Sequence, residues 1–254
     1  MQLVNPVKQV LRSGKSVHGL FLKSPDPVMA EIIASSGVDF VACDAEHGAA
    51  APRDIEGFCR AMEARGGTPF ARVASGDRAT LLRAFDAGCL GVHVPWVEDA
   101  VQAQAAVANI KYEPQGKRGI AGTRVSRYGQ GVDLADYMAQ ANDQTLVCLQ
   151  VESAAGVAQA EAIAGVPGVD VVFVGPTDLS NAIGHPLQFD HPRLVEMIEH
   201  VLAATLRQGR TFGIFVRDAA EAAHWHAKGA RYFISNFEGL VFRALKDFRQ
   251  RQVA

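Results

Sequence analysis

The chain has 254 residues, of which 48% are hydrophobic and 20% charged, with a formal net charge of −2. That balance excludes a general nucleic-acid or polyanion binder, and no apolar run approaches the roughly 20 residues of a membrane span. The length suits two small domains or one α/β barrel.

In chain order, residues 4–13 predict a short leading helix, with Asn5 as its N-cap and Pro6 at its first position. A unit then recurs: a short apolar strand, a polar or Gly/Pro corner, and an amphipathic helix. The first strand is 17–22 with its helix over 27–36. The second is 38–43, ending in Asp44-Ala45-Glu46-His47-Gly48, with a helix over 52–65. The third is 68–73 with a helix over 77–87, and the fourth is 90–94 with a helix over 97–109.

A Gly-rich, basic passage over 111–144 interrupts this rhythm, with a helix expected over 133–141. The fifth strand is 146–151 (helix 153–164) and the sixth 169–174 (helix about 191–208). The seventh is 211–216 (helix 219–228) and the eighth 231–235, with 240–250 closing the chain. Eight such repeats without a Pro/Ser-rich linker predict a single parallel (β/α)8 TIM barrel over 1–254. A doubly wound open sheet is the alternative, weakened by the absence of a GxGxxG turn after the first strand.

Cys43, Cys59, Cys89 and Cys148 form no CxxC pair and no zinc-type spacing. They are expected to be reduced thiols in the core. The first 15 residues carry no apolar stretch of signal-peptide type, so the expected location is cytoplasmic.

In a barrel of this kind the C-terminal strand ends converge on one mouth, where chemistry resides. The residues read there are Asp44, Glu46 and His47 after strand 2, Arg72 in strand 3, His93 and Pro95 at strand 4, Glu152 at strand 5 and Asp178 beyond strand 6. Glu152 and Asp178 are 26 positions apart, about one repeat, so they belong on neighbouring parts of the rim. Two hard oxygen ligands with no cysteine or paired histidine nearby suit Mg²⁺ or Mn²⁺. The alternative is that both acids merely favour helix starts, with Thr177 as an N-cap before Asp178.

Arg72 ends an apolar strand, so it needs a carboxylate or an anionic substrate as partner; a structural ion pair inside the barrel is the competing reading. His47 can act as a base near neutral pH or cap a helix, and His93 reads as a core histidine. Lys111, Lys117, Arg118, Arg124 and Arg127, with Tyr112 and Tyr128, suggest an anion-steering lid over the mouth or a contact with a neighbouring subunit.

Several stretches together resemble the HpcH/HpaI family of class II, metal-dependent 2-oxo-acid aldolases. They are Asp44-Ala45-Glu46-His47, Phe70-Ala71-Arg72-Val73, Phe85-Asp86-Ala87-Gly88, Val92-His93-Val94-Pro95, 112–119, Gln150-Val151-Glu152-Ser153 and 174–180, in family order over most of the chain. The resemblance implies a (β/α)8 barrel, commonly a homo-hexamer built as a trimer of dimers with exchanged C-terminal helices. It makes Glu152 and Asp178 the ligands of a divalent metal (Mg²⁺, Mn²⁺ or Co²⁺) and gives Arg72 the 2-oxo group and the enolate. It pairs His47 with Asp86 as the base dyad, and it places the substrate carboxylate on the amides around Gly175, Pro176 and Thr177. Near strand 8 many relatives carry Gly-Ser-Asp where this chain has Asn236-Phe237-Glu238.

The expected activity is reversible cleavage of a 4-hydroxy-2-oxo acid to pyruvate and an aldehyde, with no nucleic-acid or membrane partner. The alternatives are a citryl- or malyl-thioester lyase on the same barrel and a non-catalytic barrel that binds oxo acids. No Schiff-base lysine is evident at a strand end; Lys23 is the nearest candidate.

Overall fold

A computed structural model describes residues 3–251. Among these residues the chain runs α1 (Pro6–Arg12), β1 (Val17–Leu22), α2 (Pro27–Ala34), β2 (Phe40–Asp44), α3 (Pro52–Ala64), β3 (Pro69–Arg72), α4 (Arg78–Ala87), β4 (Gly91–Val94) and α5 (Ala100–Ile110). It continues through α6 (Leu134–Gln144), β5 (Leu146–Val151), α7 (Ala154–Ala158), α8 (Ala160–Ala164), β6 (Val171–Val174), α9 (Pro176–Ala182), α10 (Pro192–Arg207), β7 (Thr211–Phe215), α11 (Ala219–Lys228), β8 (Tyr232–Asn236) and α12 (Phe237–Arg251). Each strand pairs in parallel with the next, and β8 returns to β1, closing the (β/α)8 barrel that the sequence predicts. The open doubly wound sheet is thereby excluded.

Local chemistry starts the helices. Asp26, Asp77, Asp99, Asp133 and Asp218 sit at the N-caps of α2, α4, α5, α6 and α11, each accepting first-turn backbone N–H groups that would otherwise lack partners. Asn5 caps α1 as expected, and its amide nitrogen donates to the carbonyls of Leu90 (3.0 Å) and Gln144 (2.9 Å), so α1 closes the base of the barrel.

Period-two alternation divides the strand side chains between two cores. Val41, Cys43, Val92, Leu149 and Val172 pack outward against the helices. Val17, Phe21, Phe40, Phe70, Cys148, Phe173 and Tyr232 fill the barrel interior. The interior alternates large and absent side chains: the Phe40 ring occupies the space a Cβ on Gly19 would need (2.2 Å), and Phe70 does the same at Gly91 (2.7 Å). All four cysteines are free and buried.

Most element ends shift by one to three residues from the sequence reading, and three differences bear on the mouth and its helices. The helix expected over 153–164 is broken at Gln159 into α7 and α8. A short helix, α9, follows β6 directly, and its N-cap is Gly175 with Pro176 at the first position, so Thr177 is not the cap. Strand 8 ends at Asn236 rather than Ser235.

The basic passage is not a lid over this chain's own mouth. Lys111 is buried at the base, where its ammonium donates to the carbonyls of Asn142 (2.7 Å) and Thr145 (2.9 Å) and to the Thr145 hydroxyl (2.8 Å). Burial pulls its pKa down to about 7. Arg118 is buried between the rings of Tyr112 (4.7 Å) and Phe85 (5.1 Å) and donates to Asp86 (2.8 Å). Arg124 donates to Glu63 (3.1 Å) and to the carbonyl of Ala87 (2.9 Å). Groups at the C-terminal ends of α3 and α4 thus hold the two arginines against the outside of the barrel, and the end of α6 holds Lys111.

The last helix is set apart. α12 packs on its own barrel mainly at the ends of β1 and β8, and Phe242, Leu245 and Phe248 on it are exposed. Beside it, an apolar groove of about 510 Å³ runs between α11 and strands β1 and β8, lined by Val38, Ala222, Phe233 and Leu240 among others.

Candidate active site

β2 and β3 end together, with Asp44 in register with Arg72. Both point into the barrel. The Arg72 guanidinium donates to both Asp44 oxygens, from Nε at 3.0 Å and Nη2 at 2.5 Å, and its carbon stands 4.1 Å from the centre of the Phe21 ring. The backbone N–H groups of Glu46 and His47 also donate to Asp44 Oδ1. Burial alone would raise the Asp44 pKa. The two Arg72 hydrogen bonds, the Arg72 charge and those two amides outweigh it and hold the carboxyl below the usual range. Among the described residues, Nη1 of Arg72 makes no hydrogen bond, so one edge of an anchored fork is left to face the cavity.

Across the mouth, β5 delivers Gln150 and, two positions on, Glu152 to the same inward face. Gln150 donates to Glu152 Oε1 (2.7 Å), and the Trp96 backbone N–H donates to Oε2 (3.3 Å). Trp96 has φ 53°, a strained conformation for a bulky residue, and it aims that N–H at the carboxylate. Gly175 at the end of β6 lies so close that a Cβ there would stand 2.7 Å from Glu152 Oε1. Burial, then the charges of Glu46 and Asp178, push the Glu152 pKa up to about 8. Burial first, with Asp44 and Asp178 opposed by Arg72 and His47, also raises Glu46.

The acids that the sequence reading paired are therefore brought together, with Glu46 as a third carboxylate in the same field. Two acceptors there have no hydrogen-bond partner although they are buried: Glu46 Oε2 and Gln150 Oε1. Crowded carboxylates, raised pKa values and orphaned acceptors are the chemistry of a site that fits a divalent cation. Among the described residues no group of three or more His, Cys, Asp or Glu could hold an ion, so Glu152 and Asp178 would serve as a two-carboxylate set.

These groups line a cavity of about 510 Å³ at the mouth, with Phe21, Lys23, His47, Phe173, Phe215, Thr177 and Asn236 completing its wall. Pro176 has no N–H and contributes shape only. The donors on the β6 corner are the first-turn N–H groups of α9 at Thr177 and Asp178. His47 is half-exposed, and its Nε2 lies 3.9 Å from Glu46 Oε2. Its expected partner is elsewhere: the Asp86 carboxylate on α4 is taken by Arg118, and among the described residues no hydrogen bond or ion pair joins it to His47. His93 is a core residue, fully buried and bonded to the Tyr232 hydroxyl (2.7 Å); burial and the Arg72 charge lower its pKa to about 3.

Gln150, Phe215 and Asn236 are site residues that the motif reading did not select. The signal for Gln150 was its spacing: two positions before Glu152 on a strand means the same face.

Comparisons with known proteins identify the family. The family model described as HpcH/HpaI aldolase/citrate lyase matches residues 18–244. The chain is 34% identical over 249 residues to a hydroxypyruvate/pyruvate aldolase of Pseudomonas aeruginosa, covering 98% of this chain and 92% of that one. It is 33% identical to a 2-keto-3-deoxy-L-rhamnonate aldolase of Salmonella gallinarum, covering 97% and 92%. The crystal structure of an HpcH/HpaI aldolase/citrate lyase family protein from Burkholderia cenocepacia superposes with a TM-score of 0.93 at 34% identity, covering 99% of this chain and 100% of the other. The chain belongs to the HpcH/HpaI aldolase/citrate lyase family.

Proposed function

We propose, from that membership and the mouth geometry, that the chain is a divalent-metal-dependent aldolase. It cleaves a 4-hydroxy-2-oxo acid to pyruvate and an aldehyde and catalyses the reverse addition. The observation that carries this reading is the pair Glu152 and Asp178 facing an anchored Arg72 across one cavity. Glu152 and Asp178 hold the cation, Mg²⁺, Mn²⁺ or Co²⁺. When bound, the cation supplies Lewis-acid polarisation of the substrate's 2-oxo group.

The chain's own residues do the rest. Thr177 and Asp178 present N–H groups to the substrate carboxylate. Arg72, locked by Asp44, offers its remaining N–H edge to the 2-oxo oxygen. As the C3–C4 bond breaks, its electron pair moves through C3 to that oxygen, and Arg72 is already placed where the charge develops. His47 takes the 4-hydroxyl proton as the aldehyde carbonyl forms; protonation of the enolate at C3 completes pyruvate. Within one chain Glu46, not Asp86, is the acid beside His47.

The assembly reading has structural support of its own. The exposed apolar face of α12 and the neighbouring apolar groove match the exchange of C-terminal helices between chains, as expected for a dimer within a hexamer.

Pyruvate release from 4-hydroxy-2-oxo acids tests the function. It should disappear on chelation with EDTA and return with Mg²⁺, Mn²⁺ or Co²⁺. Full activity after thorough metal removal would refute it, and turnover of acyl thioesters in place of free acids would favour the thioester lyase.

A further inference from the structure

Glu152 is held by more than its own strand. The loop that follows β4 meets β5 and the turn after it at three points. The Trp96 N–H donates to Glu152 Oε2 (3.3 Å), the Val97 N–H to the Gln150 carbonyl (3.0 Å), and the Ser153 hydroxyl to Glu98 Oε1 (2.6 Å). The same loop is pressed against α7, where a Cβ at Gly156 would stand 2.8 Å from the Val97 carbonyl oxygen. On the α5 side, Gln102 accepts the Glu98 N–H (2.9 Å).

This clamp holds Trp96 in a backbone conformation that a bulky residue rarely adopts, with φ 53° in the left-handed region. The side chain does not explain it: the indole is 48% exposed and takes no part in the cavity wall. What the conformation achieves is the direction of one N–H. Gln150 Nε2 holds Glu152 Oε1 (2.7 Å) and the Trp96 N–H holds Oε2, so the carboxylate is gripped at both oxygens. Each oxygen still keeps a lone pair for a cation.

Resting on the reading of Glu152 as a ligand of the cation, we propose that Trp96 is a positioning residue for the metal site. Its left-handed backbone, clamped through Val97 and Glu98, orients Glu152 before the ion arrives. A carboxylate fixed in advance loses little freedom on binding, and hydrogen bonds behind a metal ligand set about ten- to a hundredfold of affinity. The role belongs to the backbone at position 96 and not to the indole. Substitutions there should therefore rank by backbone preference: Asn accepts the left-handed region, whereas β-branched Ile does not.

The test titrates Mn²⁺ into metal-free protein and reads the free ion by electron paramagnetic resonance, with circular dichroism checking that each variant is folded. Trp96→Asn should bind within about twofold of the wild type. Trp96→Ile should bind roughly tenfold more weakly, because the loop shifts and the N–H leaves Glu152. At the other end of the clamp, Glu98→Ala should weaken binding by about threefold. Glu98→Gln, which still accepts the Ser153 hydroxyl, should restore it, and this pair gives the answer even where Trp96→Ile does not fold. Wild-type affinity in Trp96→Ile or Glu98→Ala, or a loss in Trp96→Asn equal to that in Trp96→Ile, overturns this inference while leaving the metal reading intact. A wild-type protein that takes up no Mn²⁺ overturns both.

Discussion

At the base of the barrel the Lys111 ammonium gives three hydrogen bonds to Asn142 and Thr145 oxygens, and Lys8 pairs with Asp170 at 2.8 Å. At the mouth Glu46, Glu152 and Asp178 share one field, and two buried acceptors, Glu46 Oε2 and Gln150 Oε1, receive no hydrogen bond, although Glu46 Oε2 lies 3.4 Å from Arg72 Nε. Both ends bury charge, but only the base satisfies it. Satisfied buried charge closes a fold, whereas acids left crowded and acceptors left orphaned are tolerated where a ligand completes them. Arg72 belongs to both patterns, with two N–H groups spent on Asp44 and one edge open.

The largest effect expected from this contrast is at Arg72. Arg72→Lys should lower kcat by roughly 10²–10³, because a point charge cannot grip Asp44 bidentately and still meet a developing oxyanion. Steady-state kinetics on a variant of unchanged circular dichroism checks it; a near-normal kcat would remove Arg72 from the chemistry.

A base residue should behave in the opposite way. Lys111→Met strands the Asn142 carbonyl and the Thr145 hydroxyl, while the Thr145 carbonyl keeps the Lys8 ammonium (3.0 Å), and should cost about 2 kcal/mol of stability in a denaturant titration, with kcat per folded molecule unchanged. A variant that unfolds at the same denaturant concentration as the wild type would show that the base is not the stabilising end.

The third prediction is smaller and concerns pH. The folded Glu152 pKa is raised from 4.5 to about 8 by burial and by Glu46 and Asp178. A raised folded pKa means that folding favours the protonated acid. Its contribution is fully present below the unfolded pKa and is lost as pH rises through the folded one. In chelated protein, stability should therefore fall from pH 5 to pH 7 relative to Glu152→Gln, whose neutral side chain does not titrate. Thermal unfolding of both proteins across that range measures the difference, and parallel curves would contradict the assignment.

Much of this was legible in the sequence for simple reasons. Short apolar runs ending in charged residues mark strands that open on a mouth, so Asp44, Arg72 and Glu152 fell into place with the fold. Less legible was whatever depends on partners distant in sequence. The resemblance pairs Asp86 with His47, whereas within one chain its carboxylate meets Arg118, whose packing between Phe85 and Tyr112 no local pattern shows. The basic run after Lys111 looked like a mouth lid because its charges were visible and the carboxylates and carbonyls that bind them were not. α9, with seven residues, is too short to show a helical period. Gln150 and Asn236 are neutral, so only strand alternation points to them.

The central claim is that the crowded carboxylates of the mouth exist to hold a cation that the reaction needs. Titration of Mn²⁺ into the metal-free protein, followed by calorimetry and by pyruvate release in the same samples, tests it most directly. One ion per chain, activity rising in step with occupancy, and loss of both in Glu152→Gln are the predicted results. Activity that precedes metal binding, or a Glu152→Gln variant that binds Mn²⁺ as tightly as the wild type, would contradict the account.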